Sequence, residues 1–177
     1  MLFRSDNTGI NGNGGKARSQ GLEWTVGYVP VHGLTLNWTG AYTDAKLTTD
    51  APGVHGVTGD PLPYQPKWST SLDGEYTAPA FADYKYFVGA TWSYVGARST
   101  VFGSDETMLL QVRLPGYNTY GARAGFDNDR WRWTVYGKNL SDSRGISNYT
   151  SSGAPGLNGS ASIIQPLTFG VTLSTRF

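Results

Sequence analysis

Cysteine is absent from all 177 residues, which removes disulfide staples, thiolate metal sites, iron–sulfur clusters and cysteine nucleophiles. An excess of charge is missing too. Fourteen basic against 13 acidic residues leave +1, so there is no basic face for phosphate-driven nucleic-acid binding. Apolar residues reach only 38%, below the roughly 45–50% of globular domains. No stretch approaches the ~18 consecutive apolar residues of a membrane helix. Residues 1–10 hold no apolar segment of the kind that secretory leaders carry. What the chain has instead is 24 glycines and 14% aromatic residues. Too few aliphatic side chains for a thick core, with many Trp and Tyr, points to β-strands, soluble or meeting lipid on one face.

Helical spacing is also absent: no window carries apolar residues at i, i+3, i+4 and i+7 over three turns, and glycine interrupts the candidates. Alternation fits repeatedly. Leu22, Trp24, Val26 and Tyr28 alternate with Glu23, Thr25 and Gly27, and Leu34, Leu36, Trp38 and Tyr42 alternate with Thr35, Asn37 and Thr43. The same pattern recurs from Trp68 to Tyr76, Tyr84 to Tyr94, Tyr120 to Phe126, Trp131 to Val135 and Phe169 to Phe177. Successive side chains of a strand point to opposite faces, so each segment presents one apolar and one polar side. Phe87 is the one misfit, an aromatic on a polar parity.

The connections alternate as well. Those at 29–34, 78–84 and 127–130 are short and hold turn residues: Pro30 with Gly33, Pro79, and Asn128 with Asp129. Those at 49–67, 100–116 and 141–163 are long, polar and rich in Gly. Short at one end and long at the other is the connectivity of an up-and-down meander, and of outer-membrane barrels. The predicted fold is therefore all-β: an antiparallel meander of about seven long strands forming a curved, partial transmembrane β-barrel.

All six tryptophans (Trp24, Trp38, Trp68, Trp92, Trp131 and Trp133) fall on the apolar parity and are expected to face lipid, several near strand ends where aromatic girdles lie. The opposite parity carries Gly, Ser and Thr with Glu23, Asp73, Glu75, Lys85, Arg123, Arg132 and Lys138, which suits a hydrated lumen. A soluble β-sandwich accounts for the same alternation by burying the aromatic face against a second sheet. Scarce Leu, Ile and Val, long strands and segregated loops weigh against it.

Sites of chemistry are not in view. The stretch Gly12-Asn13-Gly14-Gly15-Lys16 lacks the first glycine and the final Ser/Thr of a phosphate loop. His32 and His55 are the only imidazoles and have no carboxylate at ligand spacing, so no metal site is expected. Asp73 and Glu75 share a strand face about 7 Å apart but read as lumen charges rather than a catalytic pair, because catalytic carboxylates need a partly buried pocket. No catalytic residue and no cofactor are expected.

Four stretches, in order, resemble one known family. Ala17-Arg18-Ser19-Gln20-Gly21-Leu22-Glu23 looks like the strand start A-x-S-x-G-x-E. Gly59 through Lys67 resembles the run G-x-x-L-P-Y-x-P-K that re-enters the barrel after an external loop. Tyr136 to Asp142 is similar to the strand end V-x-N-L-x-D. Gln165-Pro166-Leu167-Thr168 through Arg176-Phe177 looks like the closing P-R-T-x-G … S-x-R-F. Together they resemble the C-terminal barrel portion of TonB-dependent outer-membrane receptors.

That resemblance implies a barrel of about 22 strands around a plug, of which these are the last seven. The plug, the TonB box and the earlier strands have no counterpart here. Residues 16–177 are then the C-terminal strands, and residues 1–15 an external-loop remnant or an artefactual start. Such receptors sit in the bacterial outer membrane and import a scarce solute such as a siderophore, vitamin or saccharide. The implied partners are outer-membrane lipid, the missing strands and plug, the inner-membrane TonB complex acting through that plug, and the barrel assembly machinery, which reads the terminal Phe177. External-loop residues are the expected ligand contacts: His55, Asp60 and Tyr64; Phe102, Asp105 and Glu106; Arg144, Asn148 and Tyr149. Two rivals stay open at this point, a passive channel or adhesin barrel and the soluble sandwich.

Overall fold

The computed structural model describes residues 2–5, 10–13, 15–102, 112–128, 130–150 and 159–176, with side chains from residue 15 onward. In chain order the strands are β1 (Leu2–Ser5), β2 (Ile10–Asn13), β3 (Ala17–Val31), β4 (Leu34–Leu47), β5 (Trp68–Pro79), β6 (Lys85–Val95), β7 (Arg98–Ser99), β8 (Arg113–Leu114), β9 (Tyr117–Asp127), β10 (Trp131–Lys138), β11 (Ile146–Thr150), β12 (Ser160–Ile163) and β13 (Thr168–Thr175). One 3-10 turn spans Pro52–Val54. Seven strands form one sheet in the order β13-β10-β9-β6-β5-β4-β3. Each neighbour is antiparallel to the next, and the two edges, β3 and β13, do not meet. This is an open section of barrel wall, with the meander order that the alternation predicts.

Register settles the faces. Trp38 stands opposite Leu72, Leu72 opposite Trp92, and Trp92 opposite Tyr120. Trp24 faces Gly40, Trp68 faces Tyr42, and Trp133 faces Phe126 with Trp131 two residues earlier on the same side. All six tryptophans therefore share one surface of one sheet. That surface is uncovered: Val171 is 70% exposed, Phe169 71% and Leu22 66%. No second sheet packs on it among the described residues, which overturns the sandwich. Among the described residues buried apolar side chains are few, and five of the six (Ala45, Leu47, Ala51, Phe102 and Leu114) lie at the long-loop end rather than beneath the sheet.

Glycine and aromatic residues turn out to be partners. Trp24 pairs directly with Gly40, Phe87 with Gly125, Phe169 with Gly137 and Tyr136 with Gly170. In each pair a Cβ on the glycine would run into the aromatic ring opposite. A ring laid across a strand glycine covers backbone that would otherwise be bare, a stabilising device in sheets. Trp24 also meets Trp38 edge to face at 5.3 Å, a favoured aromatic geometry. The misfit Phe87 belongs to this set. It points to the polar face yet is only 1% exposed, lodged over Gly125 with the Arg132 guanidinium 4.0 Å above its ring.

The short turns all fall at one end. His32 and Gly33 alone join β3 to β4, Gly33 at φ +86°, so the expected 29–34 turn is tighter than the sequence suggests. Pro30 stays inside β3 at the point where its register with β4 breaks, between Tyr28 and Val31. At the third turn the Asn128 carboxamide oxygen accepts the backbone N–H groups of Arg130 and Trp131 at 3.0 and 2.6 Å. At the opposite end the loops are not plain coil. β7 pairs with β8 and β11 with β12. Sequence alternation misses these ladders because β7 and β8 are two residues long, β12 is four, and β11 breaks its period at a register shift between Ile146 and Asn148.

Candidate functional site

Two polar assemblies lie off the lipid-type face. The first is on the lumen side of the sheet. Arg123 on β9 donates from Nε to Glu75 Oε2 at 2.8 Å, from Nη1 to Asp73 Oδ2 at 2.7 Å and from Nη2 to Asp73 Oδ1 at 2.8 Å. Both carboxylates are on β5, and β6 lies between. The register explains how the side chain crosses: Glu75 faces Gly89 and Gly89 faces Arg123, so the guanidinium passes over a residue without a side chain. The Thr91 hydroxyl completes the cluster by donating to Asp73 at 2.5 Å. Arg132 adds pairs to Asp127 at 2.9 Å and Glu75 at 3.6 Å, and Arg176 reaches Asp127 at 3.7 Å. Three arginines thus consume three carboxylates in one network over β5, β9 and β10. Charges shared and forked this way fix strand spacing better than isolated pairs do. Beside it runs an uncharged belt, Thr25, Thr39, Ser71, Ser93 and Thr119, in direct register across five strands. The wall is therefore hydrophilic, and its Asp73, Glu75 and Asp127 carboxylates are held by arginine.

The second assembly is at the long-loop end. Leu47, Ala51 and Phe102 form a small core with Val54 and Leu62 packed on it. The run from Gly59 to Lys67 lies along the end of β4: Leu47 N–H donates to Asp60, Leu62 N–H to Ala45 and Thr43 N–H to Lys67, all at 2.9 Å. Tyr64, at φ 60°, donates its backbone N–H to Ser99 at 2.8 Å and its hydroxyl to the Tyr149 carbonyl at 2.7 Å. Arg98 donates to the carbonyls of Ile146 at 2.8 Å and Ser147 at 3.3 Å. Three loops are thereby tied into one body.

The expected ligand contacts separate within it. Tyr64 and Tyr149 come together. Phe102 is buried in the loop core. Asp60 accepts the Val57 N–H at 3.1 Å within its own loop. His55 is exposed in a left-handed conformation beyond the 3-10 turn. Arg144 pairs with Asp142 at 2.8 Å, and exposed Asn148 accepts its neighbour's N–H at 2.9 Å. Asp105, Glu106 and Phe177 lie outside the described residues. Arg98, which holds two loops, was not singled out from sequence, because nothing local marks an arginine whose partners are carbonyls 48 residues away.

The strand-end motif also finds a physical role. Asn139, buried at φ 50°, donates to the carbonyls of Ser143 and Gln165 at 2.9 Å each and accepts the Ser143 N–H at 3.0 Å. Asp142 accepts the Leu167 N–H at 3.1 Å and the Arg144 guanidinium. The Leu167 N–H, first, and Arg144 hold the Asp142 carboxyl below its ordinary range. These two residues knot the end of β10 to the start of β13 around the loop. Among the described residues no three His, Asp or Glu side chains gather as a metal site.

An open β-wall with an aromatic, uncovered face, a charged hydrophilic face, short turns at one end and built loops at the other defines a section of outer-membrane barrel. The comparisons agree. The family model described as "TonB dependent receptor-like, beta-barrel" matches residues 2–140, and the chain belongs to that family of Gram-negative outer-membrane proteins. Among solved structures it is similar to the ferric yersiniabactin uptake receptor FyuA from Yersinia pestis, with TM-score 0.76, 20% identity, and coverage of 95% of this chain and 25% of that one. It is similar as well to the ferric-catecholate import receptor Fiu from E. coli K12, with TM-score 0.66, 20% identity and coverage of 97% and 22%. The ferric preacinetobactin receptor BauA from Acinetobacter baumannii gives TM-score 0.64, 20% identity and coverage of 93% and 23%. The chain thus spans about a quarter of the length of these structures. A search of curated proteins finds no match.

Proposed function

We propose that this chain is the C-terminal wall, lumen lining and external-loop face of a TonB-dependent receptor that captures and imports a scarce solute, with residues 16–177 as the barrel part. One observation carries the reading: a single sheet with all six tryptophans on its uncovered face and its ion-pair network on the other. Only a structure that meets hydrocarbon on one side and water on the other uses both faces that way. The segment does no chemistry. Its Asp73 and Glu75 carboxylates are held by Arg123, and the loops offer Tyr64, Tyr149 and Arg144 to whatever docks outside. The edges require further strands, since unpaired backbone in lipid is costly. A plug pulled by an inner-membrane TonB complex supplies the work of import, and the assembly machinery and outer-membrane lipid are the other partners.

The three structural neighbours are each named for a ferric ligand, so a ferric chelate is the first solute to test. Cells carrying the full receptor are expected to accumulate a radiolabelled ferric chelate, and a protonophore is expected to stop it. Uptake untouched by the protonophore points to the passive channel instead.

A further inference from the structure

We infer that the lumen face of β9 and β10 carries an anion-binding subsite centred on Lys138. The inference rests on the receptor reading above. A cavity of about 320 Å³ opens there, lined by Thr91, Thr119, Gly121, Arg123, Tyr136 and Lys138 among others. Its floor at Gly121 is bare: a Cβ placed there meets nothing closer than a carbonyl oxygen at 3.4 Å. Tyr136 lies across Gly170, and the Lys138 Nζ stands over its ring, 5.2 Å from the centroid. An aromatic face positions an ammonium but does not neutralise it.

Lys138 stands outside the ion pairs of this wall, as Lys85 does, but only Lys138 lines the cavity. Arg123, Arg132 and Arg176 are each paired to carboxylates, and Asp73, Glu75 and Asp127 are consumed by them. Among the described residues no carboxylate comes within salt-bridge reach of Lys138. The Thr119 hydroxyl beside it makes no hydrogen bond within the described residues either. A positioned, uncompensated ammonium, a free hydroxyl and a glycine floor that admits close approach together suit an anionic oxygen group, a carboxylate or phosphate-like head. The same chemistry comes from two sources: a small solute in transit through the bore, or an acidic side chain of the plug.

The test uses the purified full-length receptor in detergent. Lysines are acetylated with a water-soluble N-hydroxysuccinimide ester, and Lys138 is followed by mass spectrometry against Lys67 on the external loop. Citrate or inorganic phosphate is expected to slow acetylation of Lys138 about threefold relative to Lys67, the size of a solvent-exposed ion pair, and Thr119→Val is expected to shrink that protection. A carbodiimide cross-link from Lys138 to a plug carboxylate assigns the plug as the source. Acetylation of Lys138 unaffected by either anion, with no such cross-link, overturns the subsite. If Lys138 is protected while no ferric chelate is imported, the transport reading fails and the subsite stands.

Discussion

Arg123 lies across Gly89. The guanidinium of one strand reaches two carboxylates on the next strand but one because the residue between has no Cβ to block it. A methyl added at Gly89 would sit 2.8 Å from Arg123 Cζ and 3.0 Å from the Gly74 carbonyl. Gly89→Ala must therefore lift the guanidinium off Asp73 and Glu75, at a cost of about 1–2 kcal/mol for half-hydrated pairs. Arg123→Met costs more, about 2–3 kcal/mol, because it strands two carboxylates together. Heat-modifiable mobility of the full receptor in gels reads both, and equal stability of Gly89→Ala and the parent would remove the crossing as a structural element.

The two faces are tested by neighbouring residues. Val171 is on the uncovered apolar face, paired with Val135, while Thr172 is on the lumen side, paired with Thr134. An arginine facing lipid near mid-depth costs about 2–4 kcal/mol, whereas the lumen tolerates it. Val171→Arg is expected to lose that much in denaturant titrations of receptor refolded into vesicles, and Thr172→Arg less than about 1 kcal/mol. Equal costs at the two positions would mean that the sheet does not separate lipid from water.

Much of this was legible because a strand has a period of two. The alternation of Trp24, Trp38 and Trp92 with Thr25, Asn37 and Ser93 identifies strands and faces without any knowledge of partners. Register is where the sequence ran out. That Phe87 meets Gly125, or that Gly89 separates Arg123 from Glu75, depends on the sliding of one strand against the next, which no single strand encodes. The loop end was hidden for a related reason. Tyr64, Arg98 and Asn139 bond mainly to carbonyls, and a carbonyl is present at every residue, so nothing in the sequence singles out their partners. Asn139 and Asp142 stood out only through resemblance to a motif, and their hydrogen bonds now give that motif a cause.

Two loop carboxylates set a pH dependence at the outer end. Asp50 is held below its ordinary value first by the Thr58 hydroxyl and then by the Thr58 backbone N–H, at 2.7 and 2.8 Å. Asp142 is lowered first by the Leu167 N–H and then by Arg144. A depressed carboxyl contributes its stability above the unfolded value of about 3.9 and loses it as pH falls through the folded value. The loops are expected to keep constant order from neutral pH down to about 5 and to loosen below about 4. Hydrogen-exchange protection at Thr58 and Leu167, corrected for intrinsic rates, measures this. Protection that falls instead as pH rises through neutrality would contradict the sign.

Phe87 is the aromatic on the wrong parity, and its environment gives a prediction for each of its two roles. It fills the space over Gly125, where a Cβ would stand 2.8 Å from its ring tip, and it carries Arg132 on its other face at 4.0 Å. Phe87→Ala removes both the packing and the platform, and about 3–4 kcal/mol of stability is expected to go with a buried aromatic of this size. Phe87→Leu keeps most of the volume and loses the ring quadrupole beneath a half-shielded guanidinium, an effect of about 1 kcal/mol. A double-mutant cycle separates the two. With Arg132→Gln in the background, Phe87→Leu should become nearly neutral, since no cation is left to feel the ring, while Phe87→Ala should stay costly. If Phe87→Leu costs the same with and without Arg132, the ring is held on the hydrophilic face by packing on glycine alone.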